Sequence, residues 1–247
     1  MKRIITIGNA MKDLFIQHEV AGSLSLCCHN HKEGFLILEE GKKIEITSIE
    51  QHVGGGALNS ATAFARLENH VSTVVKIGAD EDGDFILKHL SAENIATQFI
   101  SRSSTEKTGT SFIFPCPSGN RTILIFRGAN NNLSYQDIPS SLCASADGLY
   151  LSSLSGDATD MLNTLIPQAK KQGLLIACNP GSTQLLHHTS TIIKQLTHFD
   201  ILILNKSEAR LLYAQMQVAT AICSIHTQKN GTCPELFKKN ANNALTC

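Results

Sequence analysis

Three consecutive glycines at positions 54–56, running straight into ALNSATAFA at 57–65, constrain this chain more than any other stretch. Such a run cannot sit inside a regular helix or strand without loss, but it lets the backbone turn sharply and lets a neighbour or ligand approach its N–H groups. The residues that follow place Leu58, Ala61 and Ala65 at spacings of three and four, the period of one helix face. A glycine turn feeding a helix start presents unpaired N–H groups and the positive end of the helix dipole. Asn59, in the first turn, both donates and accepts hydrogen bonds, which suits a polyhydroxylated ligand better than a bare anion. A tight loop whose glycines serve packing alone is the competing reading, and the flanking sequence has to decide.

A chain of 247 residues can bury a substantial core as one domain, or as one domain with a small appendage. Lys plus Arg and Asp plus Glu both number 21, so no global field favours nucleic acid or an anionic membrane, and any phosphate site has to be built locally. MKRIITIGNA enters a strand pattern at once, without a leader-like apolar stretch, and no segment reaches membrane-spanning length, so a cytoplasmic location is expected. The eight cysteines show no C-x-x-C spacing and read as thiols. Cys27, Cys28, His29 and His31 lie close in sequence but lack a second ligand pair at zinc spacing, and no metal is expected there.

Residues 3–7 read as a first strand, closed by Gly8 and followed by Asp13, a carboxylate placed where open α/β sheets bind ligands. Asp13 can accept two hydroxyl hydrogen bonds, or serve as a solvated turn acid. No helix pattern follows; residues 35–38 and 43–49 read as strands around a turn at Glu39, Glu40 and Gly41. Residues 109–114 and 121–126 form a second pair of strand patterns, joined by a Pro- and Gly-containing link. Together these segments make a small sheet covering a cleft. The rest alternates: strand 71–77, helix 84–90, strand 149–151, helix 158–169, Gly173 as a helix stop, strand 174–177, a helix around Ile192, and strand 201–204. Strands alternating with helices imply an α/β fold whose central sheet is mostly parallel and covered on both faces. Asn205 and Glu208 have capping-box spacing; a pair of this kind at a sheet's carboxyl edge can equally hold waters of a nucleotide-bound Mg²⁺.

These pieces resemble the ribokinase-like (PfkB) carbohydrate kinase family: GNAMKD at 8–13, GGGALNSA at 54–61, GADEDG at 78–83, the hairpin of 108–128, NPG at 179–181 and NKSE at 205–208, in the family's order over residues 1–213. Glu68 is a departure, because the family usually closes this helix with a small residue. The resemblance implies a three-layer sandwich with a small β lid from about residues 14–52 and 105–128. It implies ATP and Mg²⁺ as cofactors and transfer of the γ-phosphate to a hydroxyl of a sugar or nucleoside. Asp13, Gly54, Gly55 and Asn59 would hold the acceptor; Asn205 and Glu208 would lie at the nucleotide, with Glu208 reaching the metal through water. A homodimer through lid strands is a further expectation.

The family's D-[TS]-x-G-A-G-D stretch, which carries the anion hole and the catalytic Asp, has no match in these 247 residues. Residues 217–247 contain three cysteines, no Asp, and Glu235 as their one acid, and they read as a tail foreign to the family in a C-terminally truncated member. The expectation is therefore a chain with no assignable catalytic base, impaired turnover, and one side of its sheet uncovered. A sugar- or partner-binding remnant is the alternative. An NAD-dependent oxidoreductase is a third reading, from the faint dinucleotide-like pattern of Gly54, Gly56, Asn59 and Asp80.

Overall fold

The structure is a computed structural model that describes residues 1–17, 22–28, 31–116 and 119–230. Its frame is a parallel sheet built from β1 (Arg3–Ile7), β6 (His70–Gly78), β7 (Ile100–Ser103), β10 (Gly148–Leu151), β11 (Leu175–Cys178) and β12 (Ile201–Leu202). Their order across the sheet is β12-β11-β10-β1-β6-β7, and every pairing is parallel. The two faces of the sheet pack into separate cores. On one face Ile5, Ile7, Val74, Leu149, Leu151 and Ile176 pack with Leu162, Leu165 and Ile166 of α3 (Leu162–Lys171) and Ile192 of α5 (Thr189–Gln195). On the other, Val71, Val75 and Ile77 pack with Leu58 and Ala61 of α1 (Gly56–Arg66) and Ile86 and Leu90 of α2 (Glu81–Ala92).

That second face is covered only over β1, β6 and β7. Over β10, β11 and β12 it is open: Leu175 is 66% and Ile201 57% exposed, and Phe64, Tyr150, Ala177 and Ile201 line an apolar groove of about 240 Å³. Parallel sheets are normally buried on both sides, so this patch is an unusual amount of bare strand surface.

The excursions form their own sheet, in the order β5-β2-β8-β9, from β2 (Met11–Gln17), β5 (Ser48–Gly54), β8 (Gly109–Pro115) and β9 (Arg121–Phe126). A hairpin of β3 (Gly22–Cys28) and β4 (His31–Ile37) extends from it in sequence. β2 runs antiparallel to β5 and parallel to β8, so the second sheet is mixed, as a lid built from separate insertions requires. The turn at Glu39–Gly41 is present, with the Lys42 N–H donating to the Glu39 carbonyl at 3.4 Å. The strand expected over residues 43–49 instead begins at Ser48, which pairs with Gln17 of β2. Asp13 belongs to β2 and not to a turn after β1.

The strands β2, β3 and β7, the helix α4 (Ser182–His187) and the length of α6 (Lys206–Asn230) escaped the sequence reading. α4 is too short to show a period, and α6 continues as helix well past Met216, where no period was evident. Pro117 and Ser118 of the hairpin link, His29, and residues 231–247 lie outside the described residues. No helix among the described residues is long and apolar enough to cross a membrane.

Three helices close with the same hydrogen-bond pattern. After α1, the Asn69 N–H reaches the Phe64 carbonyl and the Glu68 N–H the Ala65 carbonyl. After α2 the corresponding bonds run from Ile95 to Leu90 and from Asn94 to Ser91, and after α3 from Leu174 to Ala169 and from Gly173 to Lys170. This is the Schellman closure, which places one residue in the left-handed region. Gly173 (φ 76°) and Asn94 (φ 56°) suit that position, whereas Glu68 (φ 60°) does not. Glu68 is the position where the family resemblance called for a small residue, and the conformation supplies the reason. Glu68→Gly is expected to stabilise the fold by about 0.5–1 kcal/mol, because relief of the left-handed penalty outweighs glycine's extra unfolded-state freedom. A thermal melt should show a midpoint raised by about 1–4 °C; a lowered midpoint would refute this account.

Candidate active site

The chain leaves the main sheet at Gly8, passes through Asn9 and Ala10, and enters the second sheet at Met11. The three glycines return it, and each has a different neighbour. A Cβ on Gly54 would overlap the Asp13 carboxylate, one on Gly55 the backbone carbonyl of Asn9, and one on Gly56 would lie 2.8 Å from Ser152 Cβ and Oγ. Gly55 also has φ 91°, outside the reach of most side chains. Close packing thus demands glycine at all three positions, and at Gly54 the close neighbour is the Asp13 carboxylate. No side chain caps α1, and Asn59 is exposed in its first turn.

Asp13 is half-buried, with His52 directly across on β5 and Ser111 directly across on β8. Burial pushes the Asp13 carboxyl up from its ordinary range, while a hydrogen bond from Ser111 and the charge of His52 pull it down without cancelling that rise. The His52 ring is held edge-on against Phe15, with centroids 5.4 Å apart, and lies 3.4 Å from Glu50. His52 and Ser111 carry no local sequence signal. They matter through strand register, which the sequence does not display.

At the carboxyl ends of β11 and β12 the capping box is realised. The Asn205 N–H donates to Glu208 Oε2 at 3.0 Å, and the Glu208 N–H donates to Asn205 Oδ1 at 2.9 Å. Ser182 Oγ approaches Glu208 Oε1 at 3.5 Å. The NPG motif serves the same edge: Asn179 Nδ2 donates to the Ile203 carbonyl at 2.8 Å, and Gly181 admits Ser153 against its backbone. Both Glu208 oxygens already have partners and the residue is almost wholly buried, so the chemistry of this donor set fits a metal's bound water better than direct coordination. Among the described residues no three His, Cys, Asp or Glu side chains gather as a metal site.

Between these two regions lies a set of residues that the sequence analysis did not single out. Arg127, which follows β9, donates from Nη1 to Ser155 Oγ at 2.8 Å and from Nη2 to Thr183 Oγ1 at 3.4 Å. Ser155 Oγ in turn donates to Asn9 Oδ1 at 3.1 Å. Buried Asn130 accepts the Ala10 N–H at 2.8 Å and donates to the carbonyls of Ala10 (2.8 Å) and Arg127 (2.9 Å), joining the strand that enters the second sheet to the one that leaves it. The GAN triplet at 128–130 is a faint signal that could have marked Asn130. Asp80 has a structural part. Burial would raise its carboxyl, but the Thr108 hydroxyl and N–H together with the Gly83 N–H outweigh that and hold it below its ordinary range. It caps α2 and ties Thr108, just before β8, to the main sheet.

The second sheet thus carries a half-buried carboxylate, Asp13, and the carboxyl edge of the parallel sheet carries the capped start of α6. This chain has known relatives. The ribokinase of Staphylococcus aureus is 27% identical over 175 residues, covering 70% of this chain and 56% of that protein. The ribokinase of Haemophilus influenzae is 32% identical over 164 residues, covering 64% and 50%. Among solved structures, ribokinase from Giardia lamblia superposes with a TM-score of 0.69 at 26% identity, over 84% of this chain and 58% of that one. Arabidopsis thaliana ribokinase complexed with ribose and ATP gives a TM-score of 0.69 at 19% identity, over 92% and 69%, a likeness of fold. The chain spans about half the length of the curated relatives it matches. A family model described as pfkB family carbohydrate kinase matches residues 19–237, past the Met216 boundary drawn from the sequence. A match over that much of the chain, on a ribokinase-like α/β fold with its second sheet in place, means that the chain belongs to the pfkB family of carbohydrate kinases.

Proposed function

We propose that a cleft between the two sheets binds a sugar or nucleoside through Asp13, the backbone of Gly54 and Gly55, and Asn59, and binds ATP with Mg²⁺ beside Asn205 and Glu208, for transfer of the γ-phosphate to an acceptor hydroxyl. The observation that carries the reading is the seat of Asp13: a half-buried carboxylate, made possible by a glycine beneath it, on the second sheet where that sheet meets the main one. Asp13 orients the acceptor by accepting from its hydroxyls, and the second sheet limits water in the cleft. Glu208 and Asn205 keep the start of α6 rigid beside the phosphates. Mg²⁺, when bound, supplies charge neutralisation between phosphate oxygens.

Leaving a ligand hydroxyl without its partner costs about 1–3 kcal/mol, so Asp13→Ala should weaken acceptor binding by that amount in titration calorimetry with sugars and nucleosides. Unchanged affinity would retire the assignment. Residues 1–247 hold no D-[TS]-x-G-A-G-D stretch, and a polypeptide of these residues alone is proposed to bind ligand but to release ADP far below the family-typical range of about 1–100 per second. Turnover in that range would place the base elsewhere in the chain, and binding without turnover is what the remnant reading requires. Leu124, Ile125 and Phe126 are exposed on the outer strand β9, and a second copy pairing there is proposed, measurable by light scattering.

A further inference from the structure

Arg127 stands apart from the other cations near the cleft. Lys12 pairs with Asp82 at 2.6 Å and Lys76 with Asp137 at 2.9 Å, but among the described residues no carboxylate lies within ion-pair distance of Arg127. Arg127 is half-buried as a residue, and its guanidinium's described partners are two neutral hydroxyls, one on each terminal nitrogen, the Ser155 contact partly buried and the Thr183 contact exposed. Ser155 is buried and anchored in turn to buried Asn9 at the end of β1, while Thr183 sits on α4 beside Ser182, which approaches Glu208. A guanidinium fixed by hydroxyls at both ends of its fork keeps its full charge and a planar set of donors, the arrangement suited to phosphate or carboxylate oxygens. The Thr183 hydroxyl, which accepts from Arg127, can also turn its own proton toward an anion, whereas the Ser155 proton is held by Asn9.

We propose that Arg127, with Ser155 and Thr183, forms an oxyanion site at the junction between the acceptor side and the nucleotide side of the cleft. The proposal rests on the reading of this cleft as a phosphoryl-transfer site. The anion is the transferred phosphoryl group or an anionic substituent on the acceptor itself, and the two sources share one chemistry. Partial burial strengthens the interaction relative to a fully exposed contact, because an arginine with no carboxylate partner among the described residues gains more from an incoming oxyanion as the surrounding water is reduced.

The test is a calorimetric comparison of paired ligands on wild-type chain, Arg127→Gln, Arg127→Lys and Asp13→Ala. D-ribose is compared with D-ribose 5-phosphate, D-glucose with D-gluconate, and Mg²⁺-ATP is titrated in the presence of ribose. In the wild type at least one anionic ligand should bind about tenfold tighter than its neutral partner, or ATP should bind measurably. Arg127→Gln should erase that gain, and Arg127→Lys should restore part of it, since lysine keeps the charge but loses the fork. Gain confined to ATP assigns the phosphoryl group as the anion; gain with ribose 5-phosphate or gluconate assigns the acceptor. A gain that survives in Arg127→Gln, or a wild type indifferent to every anion, overturns the proposal. Equal weakening of neutral and anionic ligands in Arg127→Gln also overturns it, because the side chain would then only prop Ser155 and Asn9. Asp13→Ala keeps the two readings separable: if it binds ribose as the wild type does, the acceptor assignment falls, whatever Arg127 shows.

Discussion

Gly55→Ala is expected to destabilise the chain by about 3 kcal/mol or more, a large part of the 5–15 kcal/mol that holds a domain folded. Two independent effects add at this one residue. Its φ of 91° lies where a side chain costs of order 1–3 kcal/mol, and a Cβ there would overlap the backbone carbonyl of Asn9, which cannot swing aside as a side chain would. Moving Asn9 would disturb its bonds to Ala57 and Ser155 and shift the end of β1. Gly54→Ala gives the contrast. Its new methyl meets a side chain, the Asp13 carboxylate, which can rotate away, so stability should fall less while acceptor binding falls as in Asp13→Ala. Urea unfolding followed by circular dichroism, together with ligand titration, separates the two. A shift below about 1 kcal/mol for Gly55→Ala would mean that the close approach to Asn9 is wrong.

The division between what could be read from the sequence and what could not follows the range of the interactions. β1 and β9 were legible to the residue, and β6, β10 and β11 to within one, because strands of this kind carry dense apolar runs bounded by Gly, Asn or Pro. The glycine turn and the Asn205–Glu208 box were legible because every partner lies within a few residues. The start of β5 was not: residues 43–47 alternate like a strand, but the strand's extent is set by its register with β2. Asp13 was singled out, but its place within a strand was not legible, because that strand is defined by β5 and β8, distant in sequence. Arg127, Asn130 and Ser155 were missed for the same reason, since the Ser155–Asn9 bond spans 146 positions and the Asn130–Ala10 pair 120. No window of sequence displays such a contact.

Asn130 carries the second large effect, because it acts as a piece of backbone. It is 1% exposed, and its amide satisfies an N–H and a carbonyl of Ala10 and a carbonyl of Arg127, as a neighbouring strand would. Gly109 makes room for it, since a Cβ there would overlap Asn130 Nδ2. Asn130→Ala leaves the N–H and the carbonyl of Ala10 without that partner, while the Arg127 carbonyl keeps the backbone N–H of residue 130 at 3.1 Å; at about 1–3 kcal/mol for each unsatisfied group, a total loss of about 2–4 kcal/mol is expected once partial relaxation is allowed. Asn130→Asp distinguishes lost hydrogen bonds from lost volume. Aspartate fills the same space and still accepts from Ala10, but its second oxygen faces two carbonyls unless it is protonated. Burial and those carbonyls raise its folded-state pKa above the unfolded value of about 3.9, so the folded state binds the proton more tightly. Stability of Asn130→Asp relative to wild type should therefore be highest below about pH 4 and should decline as pH rises through the folded-state pKa, whereas the deficit of Asn130→Ala should not change with pH. Urea midpoints measured between pH 4 and pH 8 supply the comparison. A flat profile for Asn130→Asp, or a loss under 1 kcal/mol for Asn130→Ala, would show that the two sheets are joined by something other than this amide.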